Sequence, residues 1–378
     1  MIKAKSIYIH IPFCKSKCPY CDFASWAGKE NLIEKYFDAL IKEIRTKSEA
    51  YISLHNNEKK LANIKTIFIG GGTPSLIEPT FYKRLFDELK KYFILDNDCE
   101  ITLELNPGST REDYLKGYKK LGINRISIGA QSFNEEILKI LGRKHSIEDT
   151  IKAINLTKDA GFENFSLDLI YNVPEMTKNI WEETINEVIL LKPKHISAYS
   201  LIIEPNTPFE NIYKDPNLLP TDDFSYELYL MLCNVLKKEG FIHYEISNFA
   251  KVGYESKHNL TYWHANEYFA FGISAHRFLN GLRTNNTRNL EEYINHPYIE
   301  TIMDFRDDQK FEKLMLQSRL QKGFNKNLIN KVSKKTSNEL SIILSELSKN
   351  GLIELLEDNV SLTEKGMYLN NEILLRLM

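Results

Sequence analysis

Short apolar runs and amphipathic segments alternate along most of the chain. "SIYIHI" (6–11) is apolar and β-branched and predicts a buried strand. "NLIEKYFDALIKEI" follows, with Leu32, Ile33, Tyr36, Phe37, Leu40, Ile41 and Ile44 at helical spacing. The pattern then repeats. Strands are predicted at "KTIFIGGG" (65–72), "CEITLELNP" (99–107), "NRISIGAQS" (124–132), "FSLDLIYNVP" (165–174) and "HISAYSLIIEP" (195–205). Between them lie helical patterns at "PTFYKRLFDELKKYF" (79–93), "TREDYLKGYKKLG", "NEEILKILG", "SIEDTIKAINLTKDAG", which Ser146 opens, and "NIWEETINEVILLKP".

Six strands with intervening helices predict parallel βαβ units. Continuous apolar runs suit strands covered on both faces. Six units favour a partly open (β/α)6 barrel over a closed eight-stranded one, with a doubly wound sheet as the alternative. Ligands collect at the C-terminal ends of strands in either architecture. Residues 1–240 are assigned to this barrel and 241–300 to a connecting region. Residues 301–378 read as a C-terminal winged-helix-like α+β module, with helical stretches followed by two short strands around Glu357-Asp358-Asn359.

The unusual residues fall at the strand ends. "HIPFCKSKCPYCDF" (10–23) follows the first strand and holds Cys14, Cys18 and Cys21, three of only five cysteines. No second cysteine pair completes a zinc ribbon, since Cys99 and Cys233 stand alone. Gly70, Gly71, Gly72, Thr73 and Pro74 follow the second strand, without the Lys-Ser/Thr of a phosphate loop. Glu104 and Asn106 end the third strand, Gln131 ends the fourth, and Asp168 lies in the fifth.

Composition narrows the classes. With 378 residues, 43% of them apolar, a large core is available. The net charge of −2 calls for neither nucleic acid nor an anionic membrane as partner. An odd cysteine count speaks against a disulfide framework. The polar "MIKAKS" lacks a signal pattern, and no apolar run reaches the roughly 18 residues that span a bilayer. A reducing cytoplasm is the expected location.

C-x3-C-x2-C after a first βα strand resembles the radical S-adenosylmethionine superfamily. Three thiolates can hold a [4Fe–4S] cluster and leave one iron open. The resemblance implies that this iron takes S-adenosylmethionine. "YIHIPFCKSKCPYCDF", "GGGTPS", "ITLELNP", "ISIGAQSF", "LGRKH", "LDLIYNVP" and "HISAYSLIIEP" occur in an order resembling oxygen-independent coproporphyrinogen oxidase and its relatives. Matched motif by motif, this implies a cofactor-binding set of Tyr8, Gly71, Gly72, Thr73, Glu104, Gln131, Arg143 and Asp168, with Tyr20 stacked near the cluster.

Two features divide that family. Its dehydrogenase branch has a further cysteine two residues after the third cluster cysteine, where this chain has Phe23. "HNLTYW" (258–263) resembles the motif of the haem chaperone branch, whose members bind haem and pass it to haem proteins. The resemblance implies haem as cargo, with His258 as iron ligand and Tyr262 and Trp263 over the porphyrin; His264, His276 and Cys18 are rival ligands. It further implies haem-accepting partners such as respiratory cytochromes or oxidases, and leaves open a transient contact with membrane proteins and a homodimer. Asn172, where relatives have Gly, and Arg277 depart from the pattern. The alternatives are an active porphyrinogen dehydrogenase and a winged-helix nucleic-acid-binding protein. The tail lacks a strong basic face, and a capping or docking lid is the expected role for it.

Overall fold

A computed structural model describes residues 3–54, 60–304 and 309–378. The first two residues of "MIKAKS" and residues 305–308 of the C-terminal stretch lie outside the described residues. Six strands run parallel in one sheet: β1 (Ser6–Ile11), β2 (Ala62–Gly71), β3 (Phe93–Leu105), β4 (Arg125–Gln131), β5 (Asn164–Tyr171) and β6 (His195–Ser200). Three more strands extend it: β7 (Ile242–Glu245), β8 (Asn248–Ala250) and β9 (Phe269–Phe271). The spatial order is β9-β1-β2-β3-β4-β5-β6-β8-β7. β9 joins β1 in parallel, whereas β8 joins β6 and β7 antiparallel. The outermost strands β9 and β7 do not pair with each other among the described residues, so the barrel is partly open.

Register explains the two faces of this sheet. Phe271, Ile9, Ile69, Leu103, Ile126 and Phe165 align across six strands. All six are buried in the main core with Tyr36, Phe37, Leu85 and Trp181 of the surrounding helices. Each fully buried side chain of this size contributes about 1.5–3 kcal/mol. Successive residues of a strand point to opposite faces, so the intervening positions face inward, and many of these are polar, with Phe68 and Ala270 as apolar exceptions. Glu104 aligns with Ser127, Ser166 and His195, and Asp168 aligns with Ser197 and Asn248.

Two strand boundaries differ from the sequence reading. β3 starts at Phe93, six residues before Cys99, because the preceding helix Pro79–Tyr92 runs straight into it. Phe93 pairs with Ala62 and packs on the Phe269 ring at 4.9 Å. The polar residues that hid this extension loop out at a register shift between Ile64 and Thr66. β6 ends at Ser200, and residues 201–205 leave the sheet.

Residues 309–378 build a separate apolar cluster around Leu314, Phe324, Ile329, Leu340, Leu347 and Val360. A small antiparallel sheet lies beside them, in the order Phe324–Asn325, Asn359–Leu362, Ile353–Leu355. Backbone bonds from Ile246 to Arg319 and from Gln321 to Tyr244 attach this cluster to the β7–β8 edge. No helix among the described residues is long and apolar enough to cross a membrane.

Ser146 caps the helix Ile147–Asp159 as its sequence position predicts. Its hydroxyl accepts from the Asp149 amide at 3.2 Å, and the Asp149 carboxylate accepts from the Ser146 amide at 3.1 Å. Losing such a cap costs about 1 kcal/mol. Ser146→Ala therefore lowers the unfolding midpoint in urea, and Ser146→Asn restores most of the loss.

Candidate functional site

The loop after β1 holds Cys14, Cys18 and Cys21 as free thiols on the wall of a cavity of about 510 Å³. A Cys21 amide bond to the Cys18 carbonyl at 3.1 Å closes the turn between the last two. The loop is held from outside by Trp26, whose amide donates to the Pro12 carbonyl at 2.8 Å. Burial raises the Cys14 and Cys21 thiols above their ordinary range. Metal ligation overrides such a shift, because a coordinated thiol is deprotonated. Among the described residues no three His, Cys, Asp or Glu side chains converge on a single ion. A cluster that takes one thiolate per iron fits a donor set of three free thiols on one loop.

The β2 end supplies the wall beside the cysteine loop. Gly71 has φ +117°, and a Cβ there would lie 2.6 Å from the His10 ring. A Cβ on Gly72 would lie 2.7 Å from the Phe13 carbonyl oxygen and 3.0 Å from the Cys14 sulfur. The Gly72 and Thr73 amides donate to the Ile11 and Phe13 carbonyls, both at 2.7 Å. The Thr73 hydroxyl lies 3.6 Å from the Cys14 sulfur. Glycine is thus required for backbone to pass this close to the cysteine loop.

Glu104 reaches from β3 and accepts from the Gly71 amide at 2.9 Å. Burial, then the nearby Asp168 carboxylate, push its carboxyl up to about 8, against the lowering effect of the Gly71 amide. Asp168 accepts from the Ser127 hydroxyl at 2.9 Å and from Ser166 at 3.1 Å. Burial also raises this carboxyl, outweighing the serines and the Arg125 charge. Gln131 lines the same cavity at φ +67°, a left-handed conformation costly for a non-glycine residue. Arg143 donates to the Gly129 carbonyl at 3.0 Å and lies 3.5 Å from the Cys18 sulfur. Its Nε is buried without a partner. Tyr20 lines the cavity and packs against the Phe209 ring at 6.1 Å. Two buried carboxyls, a guanidinium with an unused donor and a Cβ-free backbone edge fit a polar ligand that carries both positive and negative groups.

Tyr8 is the one member of the sequence-derived cofactor set whose side chain does not line this cavity. It faces a second cavity of about 590 Å³, walled by Tyr262, Trp263, Tyr268, His276, Arg283 and Arg288 among others. Asp22 and Phe23 line both cavities. "HNLTYW" makes up most of a short helix, Lys257–Trp263, and the Ser256 side chain caps it. His258 is buried there, with Nδ1 2.8 Å from the Thr66 hydroxyl and Nε2 2.8 Å from the Tyr262 hydroxyl. Burial and the Arg125 charge hold this imidazole down at about 3. His264 and His276 are exposed.

The sequence reading missed His10, Ser127, Ser166 and Ser197. His10 joins the strand to the cysteine loop, with Nε2 2.9 Å from the Ala24 carbonyl oxygen and Nδ1 3.0 Å from the Tyr8 hydroxyl. Polar residues at alternate positions of these apolar strands were the available signal.

Residues 8–188 match the model of the Radical SAM superfamily. A heme chaperone HemW from Bacillus subtilis (strain 168) is 36% identical over 380 residues, covering 98% of each chain. That of Escherichia coli (strain K12) is 38% identical over 325 residues, covering 83% of this chain and 82% of its own. The chain belongs to the HemW heme chaperone family. The solved structure of coproporphyrinogen III oxidase (HemN) from Escherichia coli, described as a radical SAM enzyme, superposes with a TM-score of 0.82. It is 21% identical and covers 100% of this chain and 90% of its own. The two share the fold.

A carboxyl raised from an unfolded value near 4.5 to about 8 withdraws stability as pH rises between those values. Below that window Glu104 is neutral in both states; within it only the unfolded chain ionises. Glu104 therefore subtracts stability as pH rises from 5 to 8, against the buried histidines, which add it at the lower end of that range, and Glu104→Gln makes the cofactor-free chain relatively more stable at pH 8 than at pH 5 when compared with the wild type. Scanning calorimetry across the window checks this, and an unchanged slope contradicts the assignment.

Proposed function

We propose that the chain binds haem and delivers it to haem proteins, on a scaffold that carries a [4Fe–4S] cluster and S-adenosylmethionine. Cys14, Cys18 and Cys21 hold the cluster. The Gly71-Gly72-Thr73 edge, Glu104, Gln131, Arg143 and Asp168 hold S-adenosylmethionine, Tyr20 flanks the cluster, and Tyr8 backs the site from the second cavity. When bound, the reduced cluster and its ligand supply one-electron chemistry. The chain's own residues orient the ligand: Glu104 fixes the glycine edge through the Gly71 amide, and Arg143 offers its free Nε–H beside Cys18.

The observation that carries the reading is the second cavity, which shares Asp22 and Phe23 with the first. Its aromatic wall of Tyr262, Trp263 and Tyr268 suits a flat apolar macrocycle, and its volume falls in the range of small-molecule sites. His258 supports this wall by holding the Tyr262 hydroxyl. Glu312 and Leu316 of the C-terminal module also line it, which supports a capping role for that module. The recipients are haem proteins such as respiratory cytochromes or oxidases.

Porphyrinogen dehydrogenation is the second reading, favoured by the shared fold. Phe23, 60% exposed at the boundary of the two cavities, speaks against it, because that branch has a sulfur at this position.

After anaerobic reconstitution with iron and sulfide, replacing Cys14, Cys18 and Cys21 together by Ala abolishes the brown absorbance and most iron. Replacing Cys99 or Cys233, both buried away from the cavity, does not. Full iron retention in the triple variant would sink the cluster assignment. The reconstituted protein transfers haem to an apo-haem acceptor without converting coproporphyrinogen. Many turnovers to protoporphyrinogen, given reductant and S-adenosylmethionine, replace the chaperone reading with the dehydrogenase one.

A further inference from the structure

We infer that His276, and not His258, supplies the axial imidazole to haem iron, in the cavity walled by Tyr262, Trp263 and Tyr268. This rests on the haem reading above and adds the ligand and the orientation of the cargo. His258 has both ring nitrogens engaged, by Thr66 and by Tyr262, each at 2.8 Å, in a buried position. Ligation there would break a buried hydrogen bond and move the helix Lys257–Trp263. His258 does not line the cavity, and His10, which does, is likewise held at both nitrogens, by Tyr8 and the Ala24 carbonyl.

His276 is different. It opens the strand His276–Leu279, is exposed, and lines the same cavity. Its imidazole makes no hydrogen bond to any described residue. A neutral imidazole offers its lone pair to iron without first losing a proton.

The same wall carries the charge that haem requires. Arg283 bonds the Tyr268 hydroxyl at 3.3 Å and pairs with Glu312 at 2.6 Å. Arg288 pairs with Asp22 at 2.7 Å, and both partners are well exposed. Exposed pairs of this kind are weak and exchange readily. A propionate can therefore take Arg288 from Asp22, which places the acid edge of the porphyrin toward the cysteine loop and its apolar faces against the aromatic wall.

The test is a titration of the full-length reconstituted chain with haem and, separately, with iron-free protoporphyrin IX. His276→Ala should shift the Soret band and speed haem loss to an apo-haem acceptor at least tenfold. It should leave iron-free protoporphyrin affinity within about twofold, because no iron is present to ligate. His276→Met should retain haem with a changed Soret band and a raised reduction potential, as thioether ligation does. A wild-type spectrum and release rate in His276→Ala would overturn the inference. So would a loss of the imidazole signature in His258→Gln alone, with His276→Ala unaffected. Failure of the wild-type chain to bind haem would instead overturn the haem reading, and this inference with it.

Discussion

Inward-facing polar side chains of the parallel strands draw their partners from inside the barrel, because a buried polar group left unpaired costs about 1–3 kcal/mol; Thr102 Oγ1 and Arg125 Nε are exceptions. The pairings that satisfy this demand also assemble the molecule. Ser166 serves both Asp168 and His195, and His195 reaches Tyr244 at 2.8 Å across to the β7 edge. Thr66 holds His258, and Glu100 accepts from the His258 amide at 3.2 Å, so the helix Lys257–Trp263 is fastened to β2 and β3. Ser6 adds a third tie through Thr261 at 2.8 Å. The aromatic wall of the second cavity is therefore positioned by polar groups beneath it. The apolar row on the other face only decides which side of each strand turns outward.

Legibility in the sequence followed from this division. The outward row produces continuous β-branched runs, and all six parallel strands were found from them. The cysteine and glycine loops stand out because a loop at a strand end has no packing pattern to hide in. Inward positions were harder. "SIYIHI" reads as uniformly apolar, yet Ser6, Tyr8 and His10 alternate along it and each makes a side-chain hydrogen bond. Tyr8, which the motif assigns to the cofactor set, lies three residues before the end of β1 and lines the adjacent cavity. "HNLTYW" carries no apolar period that marks a helix. Its order comes from the Ser256 cap and from tertiary bonds, neither of which a local pattern reveals.

The electrostatics of the first cavity follow from the same geometry. Glu104 and Asp168 face one space, and burial raises both carboxyls. A cationic ligand entering that space favours their ionised forms and gains two anionic neighbours. Arg143 on the far side meets the cysteine loop at Cys18, so positive charge already stands where thiolates are needed. The cavity is polarised from its glycine edge to its sulfur edge before any ligand arrives.

Asp22 and Phe23 form a partition shared by two cavities with different linings. Any substitution at either position alters both at once. Such a wall is pleiotropic: a smaller residue at 23 widens the second cavity and unroofs the cysteine side together, and a change at 22 frees Arg288 while loosening the loop after Cys21. Neither compartment can drift through these two positions without carrying its neighbour along, which narrows the mutational routes open to the loop far more than its surface exposure suggests.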